Sequence, residues 1–305
     1  MQEFLQQLIN GLVWGSAYTL IALGYTMVYG ILRLINFAHG EVYMMGAYVA
    51  YFLTLWVTGS ALLADTTHTW MWAALILSGA MLGSAALGYL IERFVYRPLR
   101  YAPRLTLLIA AIGVSLFLQH AAQLQFGSEP RNFPQIIPQR VFYPFGEVTI
   151  SNKQIIIMVV SLILGAALYY IVHHTTIGKA MRAVSFDRDA ASLMGISTNR
   201  VVSFTFIIGS ALAAAAAVLI SMYSPQIIPH MGVQAGLKAF VAAVLGGIGN
   251  IWGAMIGGLI IGIAESMVVG YLDSSYRDGI VFAFLIIVLI VKPTGLFGSP
   301  VTDRA

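Results

Sequence analysis

The sequence predicts an all-α polytopic membrane protein of about eight to nine transmembrane helices, and three observations carry the prediction. Hydrophobic residues make up 59% of the chain and charged residues 9%, where a soluble domain carries about 25% charged residues. Apolar runs recur along the whole chain, most of them about 20 residues or longer, the length that spans hydrocarbon. Two of the apolar stretches are broken by glycine and polar residues, one in each half, a pattern that points to an inverted repeat around a transport pathway. The spans leave no stretch large enough for a separate soluble domain, so residues 1–305 read as a single transmembrane domain. The absence of cysteine excludes disulfides and thiol chemistry. A net charge of +4 is too small to suggest nucleic acid as a partner; the bilayer is the partner that composition demands.

The elements follow in order. Met1-Gln2-Glu3-Phe4 lacks a basic region and a small-residue cleavage site, so it reads as the start of the first span, not a removed signal. That span covers about residues 8–31, and its Gly11 and Gly15 form a small-xxx-small pair suited to close helix packing. A second span follows the junction at Arg33 to Glu41 and ends near residue 63; a third covers 71–91. Residues 92–104 carry four arginines, which places this loop in the cytoplasm by the positive-inside rule. After a fourth span over 105–126, a Pro- and aromatic-rich segment to residue 153 reads as an outer loop. A fifth span ends near 172, and residues 173–200 carry Lys179, Arg182, Arg188 and Arg200. Two crossings separate this segment from the arginine loop, so it is cytoplasmic as well. The sixth span, 201–223, is rich in alanine. Residues 238–272 are apolar but broken at Gly246-Gly247-Ile248-Gly249-Asn250, and a last span ends at Lys292-Pro293. This count puts the N-terminus outside. The C-terminus is inside if the glycine break is a full hairpin and outside if it is a re-entrant kink; Lys292 and Arg304 favour inside.

The polar groups inside the spans are the first functional candidates. Unwound backbone at membrane depth must face protein or a water-filled cavity. Asn36, His39, Glu41 and Tyr48 around the first break, and Gly246, Gly247, Gly249 and Asn250 at the second, are therefore candidates for a translocation pathway, as is Glu265. Tight hairpin turns at the membrane surface are the alternative for both breaks, and Arg33 beside the first makes that alternative equal in weight. A carboxylate at helix centre costs about 2.5–3.5 kcal/mol on insertion scales, so Glu41 and Glu265 must face the bundle interior. Glu265 follows Gly258 and Gly262 on one small-residue face, which favours a structural hydrogen-bonding residue, a role an amide would also fill. His120, beside Gln119, reads as an interhelical hydrogen-bonding histidine.

Between the fifth and sixth spans lies Asp187-Arg188-Asp189-Ala190-Ala191-Ser192-Leu193-Met194-Gly195-Ile196. Asp187 suits a helix N-cap, Asp189 the positive first turn, and Gly195 a left-handed stop about two turns later. Ala190, Leu193 and Met194 fall three and four residues apart on one face. The segment 174–200 thus carries a short surface helix with an apolar knob, a shape that fits another protein's groove. A two-turn surface helix between spans is also an ordinary connection. Enzyme motifs are missing: no phosphate-binding loop is present, because Gly178-Lys179 is followed by Ala180 and has no glycine five residues before it. Zinc-protease spacing is absent too, no metal site is expected, and Gly113-Val114-Ser115, in a span as an intramembrane serine protease's nucleophile would be, lacks the following glycine and an obvious second-helix histidine.

The spacing Asp189-Ala190-Ala191-x-x-x-Gly195 resembles the E-A-A-x-x-x-G cytoplasmic loop of ABC importer permeases, with Asp for Glu and without that signature's second half. The wider set is more specific. Ile35-Asn36-Phe37-Ala38-His39-Gly40-Glu41 with Gly46-Ala47-Tyr48, Glu92-Arg93 before Tyr96-Arg97-Pro98, Ala243-Val244-Leu245-Gly246-Gly247-Ile248-Gly249 before Gly253-Ala254, and Lys292-Pro293-x-Gly295-Leu296 span the chain. Together they resemble the inner-membrane permeases of bacterial branched-chain amino acid ABC importers, of the type with short termini; urea and amide importers share these motifs. The resemblance implies a multi-pass inner-membrane subunit that binds no cofactor itself. It implies pairing with a second, paralogous permease and docking on two cytoplasmic ATPase subunits that hold ATP and Mg²⁺. A periplasmic binding protein would deliver substrate. Coupling to the ATPase would fall on Asp187, Asp189, Ala190, Ala191, Leu193, Met194 and Gly195. Two other classes stay open: a proton-coupled secondary transporter using His39, Glu41 and Glu265 as a relay, and a structural membrane scaffold.

Overall fold

A computed structural model describes residues 2–59 and 69–298. Within them the chain is helical, with eight helices long and apolar enough to cross a membrane. These are α1 (Gln2–Leu32), α2 (His39–Gly59), α3 (Thr69–Ile91), α4 (Arg104–Phe126), α5 (Asn152–His174), α8 (Thr198–Tyr223), α10 (Ile251–Tyr271) and α11 (Arg277–Val291) with the 3-10 turn Ser274–Tyr276 that leads into it. A ninth apolar helix, α9 (Met231–Gly246), is shorter, about 24 Å at 1.5 Å per residue. Two surface helices, α6 (Thr176–Phe186) and α7 (Arg188–Leu193), connect α5 to α8.

The segments expected from hydropathy differ from the observed elements in four places. The expected end of the second span, near residue 63, lies outside the described residues. α1 begins at Gln2, six residues before the apolar run, and reaches about 46 Å, longer than hydrocarbon is thick. The arginine loop begins as helix, since a π-helical turn at Glu92–Tyr96 continues α3. The broken stretch begins at Met231, not Lys238, because the lysine is carried inside α9 by an ion pair and does not mark its end. The outer loop holds two short antiparallel strands, β2 (Val141–Phe145) and β3 (Val148–Ser151), while β1 (Arg131–Asn132) pairs with β4 (Gln226–Ile227).

α1 and α8 form the buried centre, and α3, α4, α5 and α11 line its outside with exposed apolar faces suited to lipid or another apolar subunit. The alanines of α8 explain how it can be covered on several sides: Leu212 to Ser221 are all buried, and small side chains admit α1, α2 and α3 at once. α1 and α10 approach closely through Gly11 and Gly15 on one and Gly258 and Gly262 on the other, as the small-residue spacing predicts. A Cβ on Gly15 or Gly262 would meet the facing backbone. Thr19 Oγ1 donates to the Met255 carbonyl across the same seam, at 2.9 Å.

The glycine break is a full hairpin. Gly246 packs on Gly253, and Gly257 packs on the Ala242 carbonyl, so α9 and α10 run antiparallel from a common turn. Gly247 (φ +100°) and Gly249 (φ +98°) make that turn in backbone regions only glycine adopts without strain. Residues 292–298 fold against it: Leu296 N–H donates to the Leu245 carbonyl and Phe297 N–H to that of Gly246. The hairpin turn and residue 298 therefore sit at the same end of the bundle as Arg33 and Arg182, which line one cleft with them.

Candidate functional site

The end that carries the arginines is built from the α1 terminus outward. Arg33, left-handed at φ +53°, closes α1, and Arg188 of α7 donates to the Ile31 carbonyl at 2.8 Å, pinning the surface helices to α1. Burial, with Arg100 and Arg33 nearby, lowers the pKa of Arg188, which stays charged at any physiological pH. Behind it, Glu92 is fully buried, pairs with Arg100 at 2.6 Å and accepts from Ser203 at 2.6 Å; Arg100 also donates to Asn199. The arginine loop is thereby tied to the start of α8.

α7 has the ends its sequence predicts. Asp187 Oδ1 accepts from the N–H groups of Asp189 (2.9 Å) and Ala190 (3.0 Å). Gly195, at φ +82°, closes the helix, with Ile196 N–H donating to Ala191 and Gly195 N–H to Ser192. Ala191 is buried, Ala190 and Asp189 are exposed, and Leu193 and Met194 are 89% and 83% exposed. Hydropathy reading missed α6: its terminal Phe186 is as exposed as Met194 and adds a third large apolar side chain to this surface. Thr175 caps α6 through the Gly178 N–H, so the two helices form one capped unit joined at Asp187. A cleft of about 1030 Å³ opens beside it, lined by Gly30, Arg33, Arg182, Gly249, Asn250 and Thr294.

Deeper in the bundle, the first break is buried. Asn36 accepts from the Tyr96 hydroxyl at 2.8 Å and from the Ala38 N–H at 3.1 Å, which holds the turn before α2. His39 packs edge-on against Tyr25, ring centres 4.8 Å apart, in the space that Gly24 leaves open. Glu41 is 1% exposed. One carboxylate oxygen accepts from Ser115 Oγ of α4 at 3.3 Å; Oε2 makes no hydrogen bond and lies against Gly232 at the start of α9. Tyr48, two turns further along α2, stacks on Phe126 at 4.5 Å.

The second break gathers different residues. Gly246, Gly247 and Gly249 form the hairpin, and Asn250 caps α10 through the Gly253 N–H (3.2 Å) while donating to the Phe297 carbonyl (3.0 Å). Glu265 is placed apart from both breaks, between Lys238 of α9 (2.6 Å) and Arg277 of α11. Lys238 also meets Asp278 at 2.7 Å, and Arg277 stacks over Trp14 at 4.9 Å. Glu265 is thus the structural hydrogen-bonding residue expected, but its partners are cations, whose charge an amide would not neutralise. The sequence signal for its partners was present but unread: Lys238 is a lone cation inside an apolar stretch. His120 departs from expectation, being exposed and bonded to Gln123 of its own helix, at 3.0 Å. No group of three or more His, Asp or Glu among the described residues has the arrangement of a metal site.

Comparison with known proteins agrees with this architecture. Residues 7–289 match the family model described as branched-chain amino acid transport system / permease component. The High-affinity branched-chain amino acid transport system permease protein LivH of Escherichia coli K12 is 45% identical over 304 residues, covering 99% of this chain and 97% of the relative. Its counterpart in Salmonella typhimurium is 44% identical with the same coverage. BraD of Pseudomonas aeruginosa, named for the same system, is 45% identical over 99% of this chain and 98% of its own length. No solved structure matches significantly. With eight membrane-length helices and a family match over nearly its whole length, the chain is a multi-pass inner-membrane protein and belongs to the branched-chain amino acid transport system permease family.

Proposed function

We propose that this chain is the permease subunit of an ATP-driven importer for branched-chain amino acids, forming half of the translocation pathway and coupling to a cytoplasmic ATPase. A second, paralogous permease completes the pathway, two ATPase subunits supply ATP hydrolysis with Mg²⁺, and a periplasmic binding protein delivers the amino acid. The full-length likeness to permeases of such systems supports the class. The observation that carries the coupling role is the α6–α7 unit, capped at both joints, pinned to α1 through Arg188, and presenting Phe186, Leu193 and Met194 to water. Helices this short are not stable on their own, and large apolar side chains at an aqueous end call for a protein groove.

Burying one such side chain stabilises a complex by about 1.5–3 kcal/mol, and a carboxylate there adds a desolvation cost. Leu193→Asp is therefore expected to weaken co-purification of the ATPase by roughly 10- to 100-fold while membrane insertion is unchanged. Normal assembly and substrate-stimulated hydrolysis in the Leu193→Asp complex would remove α7 from the docking surface. The proton-coupled alternative is disfavoured, because Glu265, one of its three relay groups, is engaged by Lys238 and Arg277. Urea or amide import uses the same class of permease, and competition of these solutes with leucine uptake in the reconstituted complex separates the substrates.

A further inference from the structure

Most of the outward face of α4 suits lipid: Leu116, Phe117 and Leu124 are 51%, 69% and 90% exposed. Its outer half also carries a polar cluster. Gln119 and Gln123 both bond the ring of His230, the residue preceding α9, Gln123 at 2.7 Å, and His120 bonds Gln123. His120 and His230 are exposed, as is Gln234 one turn into α9. These α4 positions lie about 6–12 Å beyond the helix midpoint at 1.5 Å per residue, still within the hydrocarbon depth. An exposed imidazole and a half-buried amide there, His120 and Gln123, cannot face lipid and must face protein or water.

Two further groups converge on the cluster. α9 starts at Met231, and His230 before it supplies no side-chain cap, so its first N–H groups and positive end are directed at membrane depth. Behind that terminus lies Glu41, buried, with Oε2 unpartnered against Gly232 and its other oxygen linked to α4 through Ser115. Along α9, His230, Val233, Gln234 and Leu237 repeat at three- and four-residue spacing, and all four are exposed. A face that alternates polar and branched apolar side chains fits neither lipid nor a purely apolar joint.

We propose that this α4–α9 face is the wall of the pathway that contacts a free, zwitterionic amino acid with an apolar side chain. Glu41, behind the α9 terminus, offsets the charge of the ammonium, the α9 terminus with His230 and Gln123 takes the carboxylate, and Val233 and Leu237 meet the side chain. This assignment rests on the importer reading, and the experiment separates the two. The chain has no cysteine, so His230→Cys, Gln234→Cys and the lipid-side control Leu124→Cys can each be probed in the assembled transporter with a charged thiol reagent. Positions 230 and 234 are expected to react at least about ten-fold faster than 124 and to be slowed by leucine with the binding protein and ATP present. Gln123→Leu is expected to lower leucine import about ten-fold, one tenfold step being the loss of one well-made polar contact, with ATPase co-purification intact. If the complex assembles and 230 and 234 are as inert as 124, the face is a dry joint and the assignment is overturned while the importer reading stands. If the wild-type chain retains no ATPase at all, the importer reading fails and the assignment falls with it.

Discussion

Two carboxylates, Glu41 and Glu265, are buried equally in this bundle, each 1% exposed, and their surroundings differ in kind. Glu265 is held by two cations from two other helices, and one of those cations is shared with Asp278. Glu41 has a single hydroxyl at 3.3 Å and no cation among the described residues, and each of the two carboxylates keeps one oxygen without a hydrogen bond. A charge at membrane depth is tolerated when something offsets it. For Glu265 two cations within the chain supply the offset at Oε1, although its Oε2 makes no hydrogen bond, and the result is a joint between α9, α10 and α11. For Glu41 it is incomplete, and the group lies beside a helix terminus and a polar face. The first arrangement locks helices together; the second leaves capacity for something that passes.

The comparison can be broken by three substitutions at two positions. The largest effect is expected for Glu265→Leu, which leaves Lys238 and Arg277 as buried or half-buried cations with only the exposed Asp278 between them. Breaking a buried pair in this way costs roughly 3–5 kcal/mol, read as a fall in the thermal or denaturant midpoint of the detergent-solubilised protein. Glu265→Gln keeps the shape but removes the charge, and hydrogen bonds to charged groups are worth about 1.5–3 kcal/mol. A measurable loss of stability is therefore expected for the amide, whereas a merely hydrogen-bonded residue would have tolerated it. Full stability of the Gln variant would show that the two cations do not depend on this carboxylate. Glu41→Gln is the smallest in stability, within about 1 kcal/mol, since one long hydrogen bond is at stake. Its effect belongs in leucine uptake by the reconstituted complex, and a variant that is destabilised yet transports normally would reverse the contrast between the two carboxylates.

The sequence was most informative where the physics is local. Asp187 and Gly195 delimit α7 because a capping carboxylate and a left-handed glycine act within four residues of themselves. Gly11, Gly15, Gly258 and Gly262 were readable as packing faces by spacing alone, and they meet each other. α6 was not read because residues 176–186 are too polar for a span; its signal is amphipathic instead, Ile177, Ala180, Met181 and Val184 recurring at three- and four-residue spacing with Met181 and Val184 buried. The α9 start was displaced because Lys238 looks like the end of a membrane segment until its partner is known. Among the polar candidates, Asn36, His39 and Glu41 share one buried region, while Gly246 to Asn250 form a hairpin end tied to Phe297. Spacing gives no means of separating those two outcomes.

By itself the sequence determined that the chain is a helical membrane protein, where most of its spans lie, and that a capped apolar helix interrupts them on the basic side. These follow from hydrophobic length and short-range hydrogen bonding, which add up along the chain. Only the tertiary structure decided that the glycine break is a hairpin, that Glu265 finds Lys238 and Arg277, and that α4 and the start of α9 bring two glutamines and a histidine together before Glu41. Electrostatic pairing depends on distance through space, and residues 27 or 111 positions apart become neighbours only when the helices pack.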